Sequence, residues 1–157
     1  MSKVEVDYSG IRKLGKVFKG MEADLEIGLF DSENASKGAA VEFGDTFPGY
    51  DNNQQPRPWM TTAYSNKSRK SYRATKKAIV DHVKSAFKTQ PHEEDNQMLA
   101  DELADILRTH LQDQDFPKAG TLKEVTKIIK SENGSLFVDD VGIDTGEMVR
   151  AIEGREV

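Results

Sequence analysis

The stretch that decides the fold of this chain is residues 39–64, which read AAVEFGDTFPGYDNNQQPRPWMTTAY. It opens with small residues that favour a helical turn, and the turn ends at Gly44, where glycine accommodates a positive φ. A polar loop rich in Gly and Asn follows, and two prolines then hold the backbone extended just before Trp59. The pattern predicts a helix end, a flexible extended loop at 44–58, and a second helix entered at a fixed angle.

Upstream of this stretch, residues 24–30 read DLEIGLF and alternate between apolar and other side chains. This alternation predicts a β-strand whose apolar face consists of Leu25, Ile27 and Leu29. Residues 31–34 have the composition of a turn, and 35–43 are expected to form a short helix. Nearer the N-terminus, apolar residues at helical spacing predict an amphipathic helix at 11–21.

Downstream, apolar residues at helical spacing predict two long helices. We expect the first at 59–87, with one apolar face that consists of Tyr72, Ile79, Val80, Val83 and Phe87. We expect the second at about 94–111, with an apolar stripe that consists of Met98, Leu99, Leu103, Ile106, Leu107 and Leu111. The break at 89–93 is short and contains a proline, which favours an antiparallel helical hairpin.

Two further helix starts are predicted in the C-terminal third of the chain. Thr121 and Glu124 have the spacing of a capping box and begin a short helix that ends near Lys130. Asp144 and Glu147 repeat this spacing, so Asp144 is expected to cap a terminal turn. That turn has a small apolar side made of Met148, Val149 and Ile152.

These elements predict one α+β domain over residues 1–157, with its core at about 24–152. The helical hairpin of two long helices is expected to pack on a small antiparallel sheet that includes the strand at 24–30. The extended loop and the terminal segments complete the chain.

Composition limits the classes of function. The chain has 157 residues, of which 36% are hydrophobic and 31% charged, and its net charge of −5 disfavours a general DNA binder. The absence of cysteine excludes disulfides, thiol catalysis and thiolate metal sites. The low apolar fraction fits either a helical protein with much solvated surface or a subunit whose flexible segments become ordered against its neighbours. We expect a soluble protein made in the cytoplasm, because the sequence shows no signal peptide and no membrane-spanning run.

Candidate catalytic chemistry is sparse. The three histidines, His82, His92 and His110, lack the spacing of a metal site and are expected at the surface. Acidic neighbours such as Asp139 and Asp140 are expected to be solvated rather than paired for acid–base work. The sequence has no glycine-rich phosphate-binding motif. We therefore expect no enzymatic activity, no cofactor and no metal.

A run of cations follows the start of the first long helix and forms a basic face of Lys67, Arg69, Lys70, Arg73, Lys76 and Lys77. One interpretation is a solvated face or a set of ion-pair partners for the acidic helix at 95–115. Another is contact with a neighbouring subunit or with nucleic acid, whose phosphates attract clustered cations. A small soluble adaptor or regulator that binds DNA or protein through this face is the alternative function.

Aromatic residues bracket the loop of residues 44–58. They either anchor the loop to its own core or form a partner site, because Trp, Tyr and Arg are enriched at interface hot spots. Arg57, between two prolines, is expected to point outward. The predicted interface residues are Phe43, Phe47, Tyr50, Arg57, Trp59 and Asp144.

Three motifs occur in a defined order. The first is the strand IGLF at 27–30 with a small-residue helix that ends in Glu42-Phe43-Gly44, and the second is Pro56-Arg57-Pro58-Trp59-Met60 before a long helix. The last comprises Leu122 to Thr126 with Lys130 and Gly134, then Ile143-Asp144-Thr145-Gly146-Glu147-Met148 and Ile152. In this order the chain resembles the neck or tail-completion proteins of long-tailed bacteriophages, also called minor tail or virion morphogenesis proteins. The chain has Trp59 where the family usually has Phe, and its loop before the prolines is longer.

The resemblance implies a structural virion protein at the head–tail joint, assembled in the host cytoplasm. It would form a homo-oligomeric ring, a hexamer or a dodecamer. Its other partners would be a head connector or stopper protein on one side and a tail terminator or tail tube protein on the other. Genomic DNA would pass through the ring without sequence recognition, and no membrane would be involved.

Overall fold

The computed structural model of the chain describes residues 12, 16–17, 19–20, 23–44, 56–88, 93–116, 124–132 and 146–157. Described residues between 12 and 20 are helical, as predicted, and Val17 among them is buried. The elements that follow are β1 (Leu25–Leu29), α1 (Ser32–Phe43), α2 (Trp59–Ser65), α3 (Lys70–Lys88), α4 (Glu93–Gln112), α5 (Glu124–Glu132), α6 (Glu147–Arg150) and β2 (Ile152–Glu156). The chain is mostly helical with a small antiparallel sheet, which confirms the α+β class.

The two strands come from distant parts of the chain and pair antiparallel. Leu25 lies opposite Glu156, and Leu29 lies opposite Ile152. The predicted strand at 24–30 is confirmed as β1. Its partner β2 was not predicted, because Ile152 was assigned to the apolar side of a turn. The pairing is reinforced on the solvent side by Arg155, whose Nη2 donates to Glu26 at 2.5 Å.

Helix α4 is the centre of the fold. It contacts both strands and also α2, α3 and α6. Its alanines Ala100 and Ala104 are fully buried, and a Cβ added at Gly154 would lie 2.0 Å from the carbonyl oxygen of Ala100. Small residues on both elements therefore bring β2 against the backbone of α4, closer than side chains of ordinary size permit.

Polar side chains of α4 also occupy the edge of β2 that faces away from β1. The Gln97 amide donates to the carbonyl of Gly154 at 2.9 Å and accepts from the N–H of Glu156 at 3.2 Å. Arg108 donates to the carbonyl of Ile152. Since open strand edges invite pairing with other chains, the helix protects β2 on the side where a third strand would pair.

Two predicted boundaries are wrong. The helix expected at 59–87 is two helices, since α2 ends at Ser65 and α3 begins at Lys70. Asn66 between them is extended, and its side chain accepts from the N–H of Ser68 at 3.1 Å, a local bond that competes with helix hydrogen bonding. Residues 31–34 are not a separate turn: Asp31 is the N-cap of α1 and accepts from the N–H of Asn34 at 2.8 Å.

Several other predictions can be compared with the described residues. Helices were expected at 35–43, at 94–111 and from the capping box at 121–124 to about 130. Helices α1 and α4 confirm the first two within a few residues, and α5 confirms the third over the residues that the structure describes. Gly44 has φ 62°, as expected after a helix end. Gly146 rather than Asp144 is the N-cap residue of α6, and no side-chain hydrogen bond caps it. Thr121, Asp144 and residues 45–55 lie outside the described residues.

Candidate interface site

The first two sequence motifs meet at the start of α2. The carboxylate of Glu42, buried at the end of α1, accepts from the backbone N–H of Met60 at 2.9 Å and of Thr61 at 3.1 Å. It also accepts from the Thr61 hydroxyl. We call this set of residues, Glu42, Met60 and Thr61, the Glu42 clamp.

The Glu42 clamp supplies the hydrogen-bond acceptors that the N-cap residue of α2 does not provide. The first N–H groups of a helix have no partner within the helix, and a capping side chain normally accepts from them. The N-cap of α2 is Pro58, which makes no side-chain hydrogen bond. A carboxylate from 18 residues earlier in the chain does so instead, and it also lies where the helix dipole favours negative charge.

Further contacts join the same two motifs. The N–H of Arg57 donates to the carbonyl of Val41 at 2.9 Å, and the indole N–H of Trp59 donates to the carbonyl of Gly38 at 3.3 Å. A Cβ added at Gly38 would lie 2.5 Å from Cδ1 of Leu29, so glycine at this position makes room for the neighbouring side chains. The end of α1 and the start of α2 are therefore held together as one packed unit.

The predicted interface residues take different positions. Trp59 is fully buried, so its side chain cannot touch a partner directly; of the two interpretations of the aromatic residues, anchoring to the chain's own core applies to Trp59. Phe43 is exposed, which is compatible with an interface role. Arg57 is half-buried, and this burial lowers the pKa of its guanidinium. Phe47, Tyr50 and Asp144 lie outside the described residues.

The prediction for His110 is wrong. Its ring is buried beside Phe116 at a centroid distance of 6.0 Å, and Nε2 lies 3.3 Å from the Thr62 hydroxyl. Desolvation lowers the pKa of His110, although the charge of Asp115 opposes this shift. The sequence contained a signal for this burial, because His110 follows Leu103 by seven residues and Ile106 by four. His82 is half-buried, and His92 lies outside the described residues.

Most of the predicted basic face is solvated. Arg69 differs, because it forms an ion pair with Asp115 at 2.6 Å, as the ion-pair interpretation predicted for the acidic helix. Lys77 pairs with Asp81 on its own helix at 2.8 Å, and this bond raises the pKa of Lys77. The exposed cations are Lys67, Lys70, Arg73, Lys76 and Lys77.

The apolar face predicted for the first long helix is not the face that α3 buries. The residues of α3 that are buried are Ser71, Ala78 and Ala86. Its larger apolar residues are partly exposed, by 43% for Ile79, 38% for Val80 and 44% for Phe87. On α4, Met98 is 66% exposed. The outward sides of both long helices thus carry large apolar side chains.

The described residues contain no group of three or more His, Cys, Asp or Glu side chains that could hold a metal ion. No helix among them is both long and apolar enough to span a membrane. Comparison of the chain with protein-family models, curated proteins and solved structures finds no match in any of the three. The contacts described at this site are packing, backbone capping and an ion pair.

Proposed function

We propose that this chain is a structural subunit of the head–tail joint of a long-tailed bacteriophage, a neck or tail-completion protein that forms a ring. We further propose that α3 and α4 form an antiparallel helical hairpin on the two-stranded sheet, since α3 contacts α4 and α4 contacts both strands. The ring would join a head connector or stopper to a tail terminator or tail tube. It would have no catalytic activity.

One observation carries this proposal: residues of the second and third motifs share one core, and hydrogen bonds join the first motif to the second. A single buried cluster contains Trp59 from the second motif, Met148 and Ile152 from the third, and Val41, which precedes Glu42. The Glu42 clamp joins the first and second motifs directly. Motifs that were separated in sequence and weakly specific one by one therefore have a common structural reason to occur together.

Charge is consistent with a ring through which DNA passes. The net charge of −5 opposes general attraction to phosphates, so the ring would not hold the genome during ejection. Passage without sequence recognition needs no base-reading side chains. We expect the isolated chain to bind duplex DNA no more tightly than about 10⁻⁵ M at physiological salt, within the range of non-specific binders.

The test is electron microscopy of particles from the bacteriophage that carries this gene, with an early stop codon introduced. We expect filled heads to accumulate apart from finished tails, and joined virions to return when the gene is supplied in trans. Complementation with Phe43→Ser would then probe the interface. Ile129→Ser is the matched control, because Ile129 is not one of the motif residues and the two side chains are similarly exposed, Phe43 by 53% and Ile129 by 51%.

Normal joined virions from the stop mutant would refute the joint role. Separate heads and tails with full rescue by Phe43→Ser would keep the role but remove Phe43 from the interface. Tight binding of duplex DNA by the isolated chain would argue against free passage of the genome.

A second candidate function is a small adaptor or regulator that binds DNA or protein through the basic face. The exposure of five of its six cations favours this function. It predicts binding that weakens as salt rises and that is abolished by Lys70→Glu, Arg73→Glu and Lys77→Glu together. Normal virions from the stop mutant, together with such binding, would favour this candidate.

A further inference from the structure

We propose that copies of this chain associate through two outward helix faces, with α3 of one copy docking on α4 of the next. The α3 outer face consists of Lys76, Ile79, Val80, Lys84 and Phe87, and the α4 outer face consists of Met98, Asp101, Glu102 and Asp105. This inference rests on the proposed function, because it names the surfaces through which the ring would assemble.

The α3 outer face combines apolar area with positive charge. Lys76, Val80 and Lys84 are spaced four residues apart, so they lie along one side of the helix, with Ile79 beside them. All four are exposed. Lys76 forms no ion pair with any described residue, and Lys84 lies 3.8 Å from Asp81 of its own helix. The buried residues of α3 are the smaller Ser71, Ala78 and Ala86, of which Ala78 packs with Leu99 and Leu103 of α4.

The α4 outer face has the opposite charge around an apolar centre. Asp101, Glu102 and Asp105 follow Met98 by three, four and seven residues, and all four side chains are exposed. Asp101 accepts from Gln97 at 2.8 Å and Asp105 pairs with Arg108, both within α4, while the charge of Glu102 also acts on Lys77 of α3 in the same chain. These acidic groups remain accessible to cations of another molecule.

The charges of the two helices favour a second copy as the occupant. Helix α3 carries six Lys and Arg against one Asp, a net formal charge of +5. Helix α4 carries six Asp and Glu against one Arg, a net of −5. Each outer face has an apolar centre and charges that complement those of the other, which favours correctly oriented contact.

Because the two faces differ, a copy that docks through α3 still offers its α4 outer face to another copy. Such head-to-tail contacts close into a ring when the rotation between copies permits. Copies of an acidic chain can therefore associate through two different faces, and no single surface patch has to bind to the same patch on another copy. The same contact would also cover the apolar residues that α3 exposes.

The test is sedimentation velocity of the purified full chain over a concentration series, with three variants. The first variant carries Lys76→Glu and Lys84→Glu, and the second carries Asp101→Lys and Glu102→Lys. The matched control, Lys67→Glu with Lys70→Glu, makes the same charge change as the first variant at exposed cations outside the α3 outer face. Circular dichroism verifies that each variant retains the helicity of the wild-type chain.

We expect each of the first two variants to raise the dissociation constant for self-association by about tenfold or more, because like charges then face each other. An equimolar mixture of the two should restore association, since each reversed face then meets an opposite charge. The control should associate like the wild type. Higher salt should weaken wild-type association, because exposed charges are screened.

A wild-type chain that stays monomeric over the whole series would overturn the inference. Self-association that none of the charge reversals changes would also overturn the inference. The proposed head–tail function would still hold in that case, because the ring would assemble through other surfaces. Equal loss of self-association in the control and in the first variant would also overturn the inference. If, in addition, the wild-type chain bound duplex DNA and the variants did not, the cations would be assigned to nucleic-acid binding. The stop-codon experiment tests the proposed function separately.

Discussion

The two long helices, α3 and α4, are similar in length and amphipathic character, yet they are buried differently. Helix α4 places Leu99, Leu103, Leu107 and Leu111 in the interior, where they meet both strands and α2. Helix α3 buries its small residues and leaves Ile79 and Val80 partly exposed. The well-buried part of the described structure is therefore the sheet with α2 and α4, whereas the outer side of α3 exposes apolar side chains to solvent.

This difference shows that an apolar stripe predicts which face of a helix is apolar, but it does not predict which element or molecule packs against that face. In α4 the stripe and the core coincide except at Met98, which is exposed. In α3 the residues that are buried are small, and Ala78 among them packs with Leu99 and Leu103, because small side chains let two helices approach closely. The larger apolar residues of α3 are partly exposed.

The largest expected effect contrasts the two helices directly. Leu107→Ala removes a fully buried side chain of α4 and should lower the free energy of unfolding by about 2–5 kcal/mol. Ile79→Ala on α3 should cost less than about 1 kcal/mol in dilute solution, because Ile79 is already partly hydrated. Urea unfolding followed by circular dichroism measures both. Equal losses would mean that the α3 stripe belongs to the core.

The next prediction tests the close contact between β2 and α4. Gly154→Ala should lower the free energy of unfolding by about 3 kcal/mol, because the added methyl group meets backbone that cannot turn away. Gly28→Ala is the matched control in the opposite strand, where the nearest atom to an added Cβ is Cε of Met60 at 3.9 Å. Thermal unfolding of both variants should show a large shift only for the first. Comparable shifts would indicate a general strand effect of glycine.

A smaller effect is expected for the Glu42 clamp, which joins α1 to the start of α2. Glu42→Ala leaves the N–H groups of Met60 and Thr61 without their acceptor and should cost about 1–2 kcal/mol, as loss of an N-cap does. Glu153→Ala removes an exposed carboxylate and should change stability by less than about 0.5 kcal/mol. Hydrogen exchange at Met60 and Thr61 should accelerate only in the first variant. Unchanged exchange there would show that the carboxylate is not the cap.

The smallest expected effect is the pH response of His110. Its pKa is lowered in the folded chain, so below the ordinary value of 6.5 the unfolded chain binds the proton more readily. Stability should therefore fall as pH decreases from about 7.5 to about 5.5, a window above the titration of most carboxylates. His110→Phe should reduce this slope in urea midpoints measured across the window. An unchanged slope would show that His110 is not the source of the response.

Local patterns in the sequence predicted a large part of the fold. The alternation at 24–30 identified β1, and helical periodicity identified α4, because both elements follow their intrinsic period along one buried face. The break at Asn66 was missed, since the side-chain bond that favours it is a single local contact within a helical pattern. The strand β2 was missed because IEGRE shows little alternation and gains its stability from α4 and β1.

The candidate site was predicted in part. Residues Glu42 and Trp59 were singled out by motif, but the hydrogen bonds that join their segments link residues 18 or more positions apart, and no local pattern reports such bonds. His110 was placed at the surface because a polar residue in a helix is more often solvated, yet its ring lies against Phe116. The exposed position of most of the basic face was among the interpretations that the sequence allowed.

By itself the sequence determined the α+β class, the main helix periods, the helix end at Gly44 and the opposite charges of the two long helices. These follow from residue type and spacing, which act over one or two turns of chain. Only the tertiary structure decided the pairing of β1 with β2, the capping of α2 by Glu42 and the side of α3 that faces α4. Those choices depend on which distant residues fit together at van der Waals distance, and this information is shared between segments that lie far apart in the sequence.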